Sequence, residues 1–177
     1  GNIANTTTVF VTNNANYTFA SNVAITLSDA TSIAELNAIT ALTTGTVDAT
    51  MDAATLVSYV DTDGNLTIAS GNELVIDVTD ANSITAADLN TLVAATTATV
   101  ELSSAHPDVT GTVAQFTSLY AAHNLTTSKV IGAGINALDM TLNDVGVISA
   151  ADIIALNDES TTDIQIADSV TGISGLF

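Results

Sequence analysis

Cysteine and tryptophan are absent from this chain of 177 residues, and proline occurs once. Without cysteine, no disulfide framework can hold a small fold together. Aromatic residues make up only 4% of the sequence, whereas hydrophobic residues make up 47%, enough for a sizeable core. That core must consist mainly of alanine, valine, isoleucine and leucine, which suits thin stacked layers better than one large globular interior.

Positive charge is also nearly absent, because one lysine stands against nineteen acidic residues and the formal net charge is −18 at pH 7. Contacts to phosphate need clustered lysine and arginine, so the composition argues against nucleic acid and against anionic membrane surfaces as partners. The imbalance favours cations as partners. It also favours a medium of physiological or higher ionic strength, where a Debye length of about 3–8 Å screens the self-repulsion.

Long apolar runs are missing as well. No stretch approaches the ~20 apolar residues that span a bilayer, and Gly1 opens a polar segment without the basic and apolar regions of a signal peptide. We therefore predict no membrane insertion and interpret the sequence as a mature product or a fragment of a longer chain. Trypsin-like proteases would find only Lys129 to cut, which suits a secreted or cell-surface location.

A degenerate repeat occupies most of the chain. Each copy has a β-branched run, a small polar turn that usually holds aspartate, and an apolar stretch at helical spacing, as in 23–39, 74–92 and 139–156. Predicted strand starts are Val23, Val47, Val75, Val100, Lys129 or Met140, and Ile164. In the off-register stretch 129–144, Val130 and Met140 open two strands of one enlarged turn. Self-similarity at a near-fixed period is the signature of a solenoid.

The apolar stretches predict the helices. A stripe runs from Ile33 to Leu42, a second follows a cap at Asp52, and a third covers 109–120. Strands that are apolar on both faces suit a parallel sheet covered by helices. We predict an α/β repeat solenoid of parallel strands and short helices, leucine-rich-repeat-like in outline, over residues 23–177. Residues 1–22, rich in asparagine and threonine, are predicted to be strands that form a cap or an assembly edge.

Three segments of the repeat form a recognisable combination: Thr31–Ile39, Asp80–Leu92 and Ser149–Leu156. They resemble the Ala/Thr/Asp-rich repeats of very large secreted or cell-surface proteins of marine bacteria, especially cyanobacteria. The resemblance implies a surface-layer, adhesin or matrix component, often with calcium-binding repeat regions elsewhere in the chain. It implies no catalytic residues, and the Gly-Gly-x-Gly-x-Asp repeats of calcium β-rolls do not occur here.

The best candidate metal ligands in the sequence are Asp61, Asp63 and Asn65, which surround Gly64. Calcium takes several oxygen ligands, and alternating acidic side chains at a glycine turn present them from one loop. Glu73 lies at the wrong spacing to complete an EF-hand. A plain turn of Asx residues and glycine accounts for the same sequence without a metal.

Aspartates also recur at the strand–helix turns. These are Asp29, Asp52, Asp80, Asp144 and Asp168. They predict either a ladder of carboxylates that holds cations along one edge, with Asp29, Asp80 and Asp144 as its metal ligands, or repeated N-capping of the helices. The two hypotheses are compatible, because stacked carboxylates repel one another and gain from a bridging ion.

No reaction is indicated by the sequence, and we expect no enzyme. His106 beside Asp108 and the separate His123 are not joined by a cluster of other ligands. We expect a structural extracellular repeat protein that extends, associates with copies of itself or adjoining repeats, and uses calcium. The alternative is a module that binds surface polysaccharide, although Tyr17 and Tyr59 belong to a scattered set of aromatics. Threonines lack the fixed column that an ice-binding face requires.

Overall fold

A computed structural model of the chain describes residues 6, 14–16, 20–27, 33–51, 74–78, 84–95, 100–102, 108–124, 130–131 and 135–175. Over these residues the fold is mixed α/β with four α-helices. Every strand pairing within them is parallel. The predicted α/β class and the predicted parallel pairing are therefore confirmed.

The strands are β1 (Ile25–Leu27), β2 (Val47–Met51), β3 (Leu74–Val78), β4 (Ile84–Thr85), β5 (Val100–Leu102), β6 (Asp108–Gly111), β7 (Val130–Ile131), β8 (Asp139–Leu142), β9 (Gly146–Ser149), β10 (Gln165–Ile166) and β11 (Val170–Ser174). The α-helices are α1 (Ile33–Thr40), α2 (Ala86–Ala95), α3 (Val113–His123) and α4 (Ala150–Glu159). Short 3-10 helices lie at Asn14–Asn16 and Ile135–Ala137.

Three sheets organise the described strands. One has the order β1-β2-β3-β5-β7, the second β4-β6-β8-β10 and the third β9-β11. Strands in each sheet thus follow one another in chain order. Paired residues lie between 22 and 31 positions apart, from Ile25 with Val47 to Asp108 with Asp139. One strand of a sheet is therefore laid on the previous one after each passage through a helix or a loop.

The strand predictions near Val47, Val75 and Val100 are confirmed by β2, β3 and β5. The stretch 129–144 contains the two predicted strands, β7 and β8. Helices α1, α2 and α4 occupy three of the predicted apolar stripes. The predicted helix after Asp52 lies outside the described residues. Most of segment 1–22 does too, including its predicted strand residues, and Asn14–Asn16 form a 3-10 helix.

The residues just before α2, α3 and α4 form strands of their own, which the sequence did not predict. The helical stripe predicted for 109–120 begins with strand β6, and its helix starts only at Val113. Likewise Ile84–Thr85 and Gly146–Ser149 are strands that lead directly into α2 and α4. The helix starts are set by caps, described below, and the extended residues ahead of them pair into the second and third sheets.

The core is built from aliphatic side chains that face inward and form columns along successive strands. Burial alternates along β1 and β5, where the outer positions are buried and the middle one is not. Successive strands then place buried residues in register, as Ile84, Val109 and Met140 do in the second sheet. Each full burial of such a side chain contributes roughly 1.5–3 kcal/mol. Helix α3 adds Phe116, the largest of the fully buried side chains in the described part.

The segment ahead of β1 is tied to the turn ahead of β2. Thr43 Oγ1 donates to the carbonyl of Val23 at 2.5 Å, and the amide of Thr44 donates to the carbonyl of Ser21 at 2.6 Å. A Cβ on Gly45 would come within 2.5 Å of the Val23 carbonyl oxygen. This close backbone approach requires glycine at position 45.

Candidate functional site

Most of the predicted metal ligands cannot be placed. Asp61, Asp63, Asn65, Asp29 and Asp80 lie outside the described residues, and so does Asp52 of the aspartate series. A metal site at these positions remains a prediction. Two members of the aspartate series, Asp144 and Asp168, are described.

Asp144 binds the start of α3, the helix that precedes it in the chain, and not the start of α4, which follows it. Its Oδ2 accepts a hydrogen bond of 2.9 Å from the amide of Val113, the first residue of α3. The carboxylate is half-buried there. A helix start presents unpaired N–H groups and positive dipole charge, both of which favour a carboxylate. The side chain therefore joins the loop after β8 to α3.

The parallel strand register explains why the Asp144 side chain contacts the helix that precedes it in the chain. Gly111 pairs with Leu142, and the amide of Asn143 donates to the Gly111 carbonyl at 3.0 Å. The residue after Asn143 is thereby brought over the start of α3, which lies two residues beyond Gly111. Strand β9 then separates Asp144 from its own helix, α4. The hypothesis that Asp144 caps the helix following it is wrong for this reason.

Serine and threonine cap α2, α3 and α4 instead. Thr112 Oγ1 accepts from the amide of Gln115, and Gln115 Oε1 accepts from the amide of Thr112, which makes a complete capping box for α3. Ser149 Oγ accepts from the amide of Ala151 at the start of α4. At α2, Thr85 Oγ1 accepts from the amide of Asp88.

The capping signal was present in the sequence. A threonine or serine precedes an acid or amide by three residues in Thr85–Asp88, Thr112–Gln115 and Ser149–Asp152. This spacing is the sequence signature of a capping box.

Asp144 and Asp168 occupy equivalent positions in neighbouring rows. We call β8 and β9 (139–149) the penultimate row, and β10 and β11 (165–174) the last row. Between the two strands of each row lies one of these aspartates, and the flanking backbones are joined, since Ala167 N donates to Leu142 O and Gly146 N donates to Ser169 O. Asp168 is exposed. Asp144 and Asp168 therefore lie at equivalent backbone positions, and a carboxylate ladder that binds cations stays a prediction.

A second pair of acids was missed by the sequence analysis. Asp108 and Asp139 are register partners at the first positions of β6 and β8. Like charges directly opposite one another on adjacent strands destabilise a sheet. The offset that pairs Thr141 with Gln165 continues this acidic position to Asp163. Spacings of 24 to 31 residues between aspartates are the signal that could have found it.

These acids do not converge on one point. Within the described ranges, no three histidine or acidic side chains lie close enough together to hold a metal ion. Asp108, Asp139 and Asp163 form a line along successive strands, with a strand spacing of about 4.8 Å between neighbours. The combined electric field of such a line attracts cations, but the line does not surround any one cation with ligands.

In the described part of the chain, two open grooves lie beside the helices. The larger, about 620 Å³, lies where α3 and the start of α4 meet. It is lined by Asp144 and Asp152, by hydroxyls that include Ser149 and Ser174, and by the apolar Val147. The other, about 520 Å³, lies between α2 and α3 and is lined largely by alanine, asparagine and glutamine side chains.

Of the aromatic side chains, the two described ones, Phe116 and Tyr120, are both buried. The Tyr120 hydroxyl lies 4.0 Å from the sulfur of Met140. Burial, helped by the charge of Glu159, raises the pKa of Tyr120 to about 12, although a hydrogen bond with Ser160 lowers it. Tyr120 is therefore a neutral core residue. His123 lies in the last turn of α3, and His106 is outside the described residues.

No protein-family model matches the chain, and neither a curated protein nor a solved structure does. None of the helices in the described part combines the length and the hydropathy needed to cross a membrane.

Proposed function

We propose that this chain is a structural repeat segment of an extracellular protein, of the surface-layer, adhesin or matrix-fibre kind. In this proposal the rows form a β/α solenoid that extends the molecule and associates with copies of itself or with adjoining repeats. One observation carries the proposal: strands stack in parallel and in chain order, at offsets of 22 to 31 residues. Such stacking is the means by which repeat proteins grow in one direction.

The side chains of each row support the same proposal. A buried residue in one strand is covered by the residue in register on the next, as Leu142 is covered by Ile166. A row made in this way offers its successor a surface of the same kind. Extension by further rows then needs no new type of contact, which suits a structural segment of variable length.

Cations, with calcium as the first candidate, complete the proposal. The chain carries a formal net charge of −18, and Asp108 lies opposite Asp139 on adjacent strands. A cation near such a pair reduces the repulsion, so it stabilises the folded state in which the pair exists. At about 100-fold excess over Kd, a ligand specific to the folded state adds roughly 2.7 kcal/mol to the free energy of unfolding.

Thermal unfolding with and without calcium tests this. In millimolar calcium, we expect a midpoint about 5–10 °C above that in chelator at matched ionic strength, since 1 kcal/mol moves Tm by roughly 2–4 °C in a chain of this size. Asp139→Asn should reduce the calcium-dependent shift. The matched control is Asp158→Asn, which removes one exposed acidic charge from α4 and should leave the shift unchanged.

Light scattering and electron microscopy of the same samples test assembly. The proposal predicts larger particles in calcium than in chelator. Equal midpoints and equal particle sizes at matched ionic strength would contradict the cation part of the proposal. Surface labelling of intact producing cells with an antibody to the chain tests the extracellular location, and a signal only after lysis would contradict it.

A further inference from the structure

The groove of about 620 Å³ between α3 and α4 is formed by several separate parts of the chain. Helix α3 contributes residues of its first two turns, and the loop after β8 contributes an aspartate. Strand β9 and the first turn of α4 supply most of the remainder. We call this feature the α3–α4 groove, and its side chains used below are Thr117, Asp144, Val147, Ser149, Asp152 and Ser174.

The polar atoms of the α3–α4 groove are suited to accept hydrogen bonds from a ligand. Asp144 and Asp152 bring carboxylate oxygens to it. Thr117 Oγ1 donates its proton to the Val113 carbonyl at 2.9 Å, and Ser174 Oγ donates to a backbone carbonyl at 3.4 Å. A hydroxyl whose proton is used in this way offers a ligand only its lone pairs. A ligand that carries positive charge and several hydrogen-bond donors therefore fits these groups.

Val147 gives the same groove an exposed aliphatic surface. Its side chain is 64% exposed, and its register partner in β11 is Gly172, which has no side chain to cover it. A Cβ placed on Gly172 would lie 3.6 Å from Val147 Cγ2, so even a methyl group there would contact the valine. The exposure of Val147 therefore follows from the glycine opposite it. A ligand for this groove gains by placing an apolar group on Val147.

The shape of the groove favours a polypeptide segment over a small molecule. Small-molecule sites are concave enough to bury about 70–90% of the surface of the ligand. The α3–α4 groove is open to solvent and lies between a helix and a strand, so it leaves one side of an occupant in water. An extended segment tolerates this, because its successive side chains point to opposite sides. One set of side chains can contact the groove while the other stays in solvent.

Charge excludes a second copy of this chain as the favoured occupant. The sequence has one lysine, no arginine and nineteen acidic residues, so a copy would bring further negative charge towards Asp144 and Asp152. A partner rich in lysine or arginine would instead be attracted by the net charge of −18 and would dock with complementary charges. Its ammonium or guanidinium groups supply the donors that the groove accepts.

We infer that the α3–α4 groove is a docking site for a basic, extended segment of another protein. Lysine or arginine side chains of that segment contact Asp144 and Asp152, and an aliphatic side chain packs on Val147. The partner is a different molecule from the copies and adjoining repeats of the proposed function. The groove can therefore be tested without reference to assembly.

Binding of a synthetic peptide tests the docking site. The probe alternates lysine and valine over about eight residues, a usual strand length, and carries a fluorophore and blocked ends. We expect saturable binding at 0.05 M sodium chloride that weakens about fivefold or more at 0.3 M, because salt screens the charge contacts. A peptide that alternates glutamate and valine should not bind. Absence of binding by the lysine peptide at low salt would overturn the inference.

Charge variants separate a site from general attraction to an acidic protein. Asp152→Asn and Asp144→Asn should each weaken peptide binding about fivefold, and the second keeps an oxygen acceptor for the Val113 amide. The matched control is Asp158→Asn, which removes one exposed acidic charge of α4 outside the groove and should change binding less than twofold. Equal losses for Asp152→Asn and Asp158→Asn would overturn the site, because only net charge would then matter.

The apolar contact has its own matched pair. Val147→Ser should weaken peptide binding about threefold or more. Val145 is 93% exposed but does not line the groove, so Val145→Ser should leave the affinity unchanged. Equal affinities of the two variants would contradict the contact with Val147.

Filling the groove tests its position on α3. Thr117→Trp should abolish peptide binding, because the larger side chain occupies the groove. Ala121→Trp places the same side chain one turn later, at an exposed position of α3 outside the groove, and should leave binding intact. Circular dichroism checks that both variants fold. Full binding by a folded Thr117→Trp variant would overturn the groove as the docking site.

Competition distinguishes other occupants of the groove. Spermidine carries ammonium groups without a peptide backbone, and we expect it to compete much more weakly than unlabelled lysine–valine peptide. Equal competition by spermidine would show a site for small amines and would overturn the inferred protein partner. Displacement by calcium at matched ionic strength that is lost in Asp152→Asn would show a metal site instead. None of these outcomes alters the calcium-dependent unfolding and assembly tests of the proposed function.

Discussion

The penultimate row and the last row are built from similar residues and differ in what covers them. β8 and β9 place Leu142 and Ile148 in the core, where both are buried. β10 and β11 place isoleucines at the partner positions, and both remain 42% exposed. Sequence similarity between neighbouring rows therefore does not imply similar burial.

This difference shows how stability is distributed in the fold. A side chain in a row gains its burial from the row after it, so the contribution of a residue depends on its neighbours in the stack. The same substitution should then have a large effect in a covered row and a small effect in the last one. Three predictions test that expectation, from the largest effect to the smallest. Each is measured by chemical unfolding at low salt and low protein concentration.

The largest difference is expected within one column of the second sheet. Leu142→Ala should lower the free energy of unfolding by about 2–5 kcal/mol, because it removes a buried side chain and leaves a cavity. Ile166→Ala, at the partner position, should cost less than half as much, because the side chain is already partly in water. Equal losses for the two variants would show that the last row is covered in solution.

Gly111 and Gly172 allow the same comparison of a covered strand with the last row. Here the substitution adds a methyl group instead of removing side-chain volume. A Cβ on Gly111 would lie 2.7 Å from the Cβ of Ala86 at the start of α2, so Gly111→Ala should cost about 1–3 kcal/mol by overpacking. A Cβ on Gly172 would meet only Val147, at 3.6 Å. Gly172→Ala should be neutral, or stabilising by about 0.4–1 kcal/mol through the unfolded state. A costly Gly172→Ala would contradict the open last row.

The smallest effect concerns the turn aspartates. Asp144→Ala should lower the free energy of unfolding by about 0.5–2 kcal/mol, because the Val113 amide at the start of α3 loses its acceptor. Asp168→Ala removes the same charge at the equivalent place in the last row and should change stability by less than about 0.5 kcal/mol. Asp144→Asn keeps an oxygen acceptor and should recover part of the loss. Identical effects of Asp144→Ala and Asp168→Ala would indicate that only net charge matters.

Some helices and strands could be predicted from the sequence, because their formation depends on residues within one short segment. The stripe in 33–42 and the β-branched residues near Val47 and Val100 specify a helix and two strands through periodicity and side-chain shape. The strand β6 could not be separated from α3 in this way, because Val109 continues the apolar spacing of the helix. Its boundary is decided by the cap at Thr112, a signal of only four residues.

The candidate acidic site shows the same limit. The sequence correctly indicated that turn aspartates recur at a row-like spacing, and Asp144 and Asp168 do lie at equivalent positions. It did not indicate that Asp144 contacts a helix thirty-one residues earlier, nor that Asp108 lies opposite Asp139. Both facts depend on the pairing register of β6 with β8. A register is set by packing across the whole row, and no single segment encodes it.

The sequence by itself determined the α/β class, the parallel pairing, an aliphatic core and a strongly acidic surface, because these follow from composition and from periodicity within short segments. Only the tertiary structure decided which rows are covered and which side chains meet between rows. Residues such as Ile148 and Ile173 are chemically the same, and only the strand stacked above one of them buries it. Burial is a property of neighbours brought together by folding, and those neighbours lie 22 to 31 residues away in the chain.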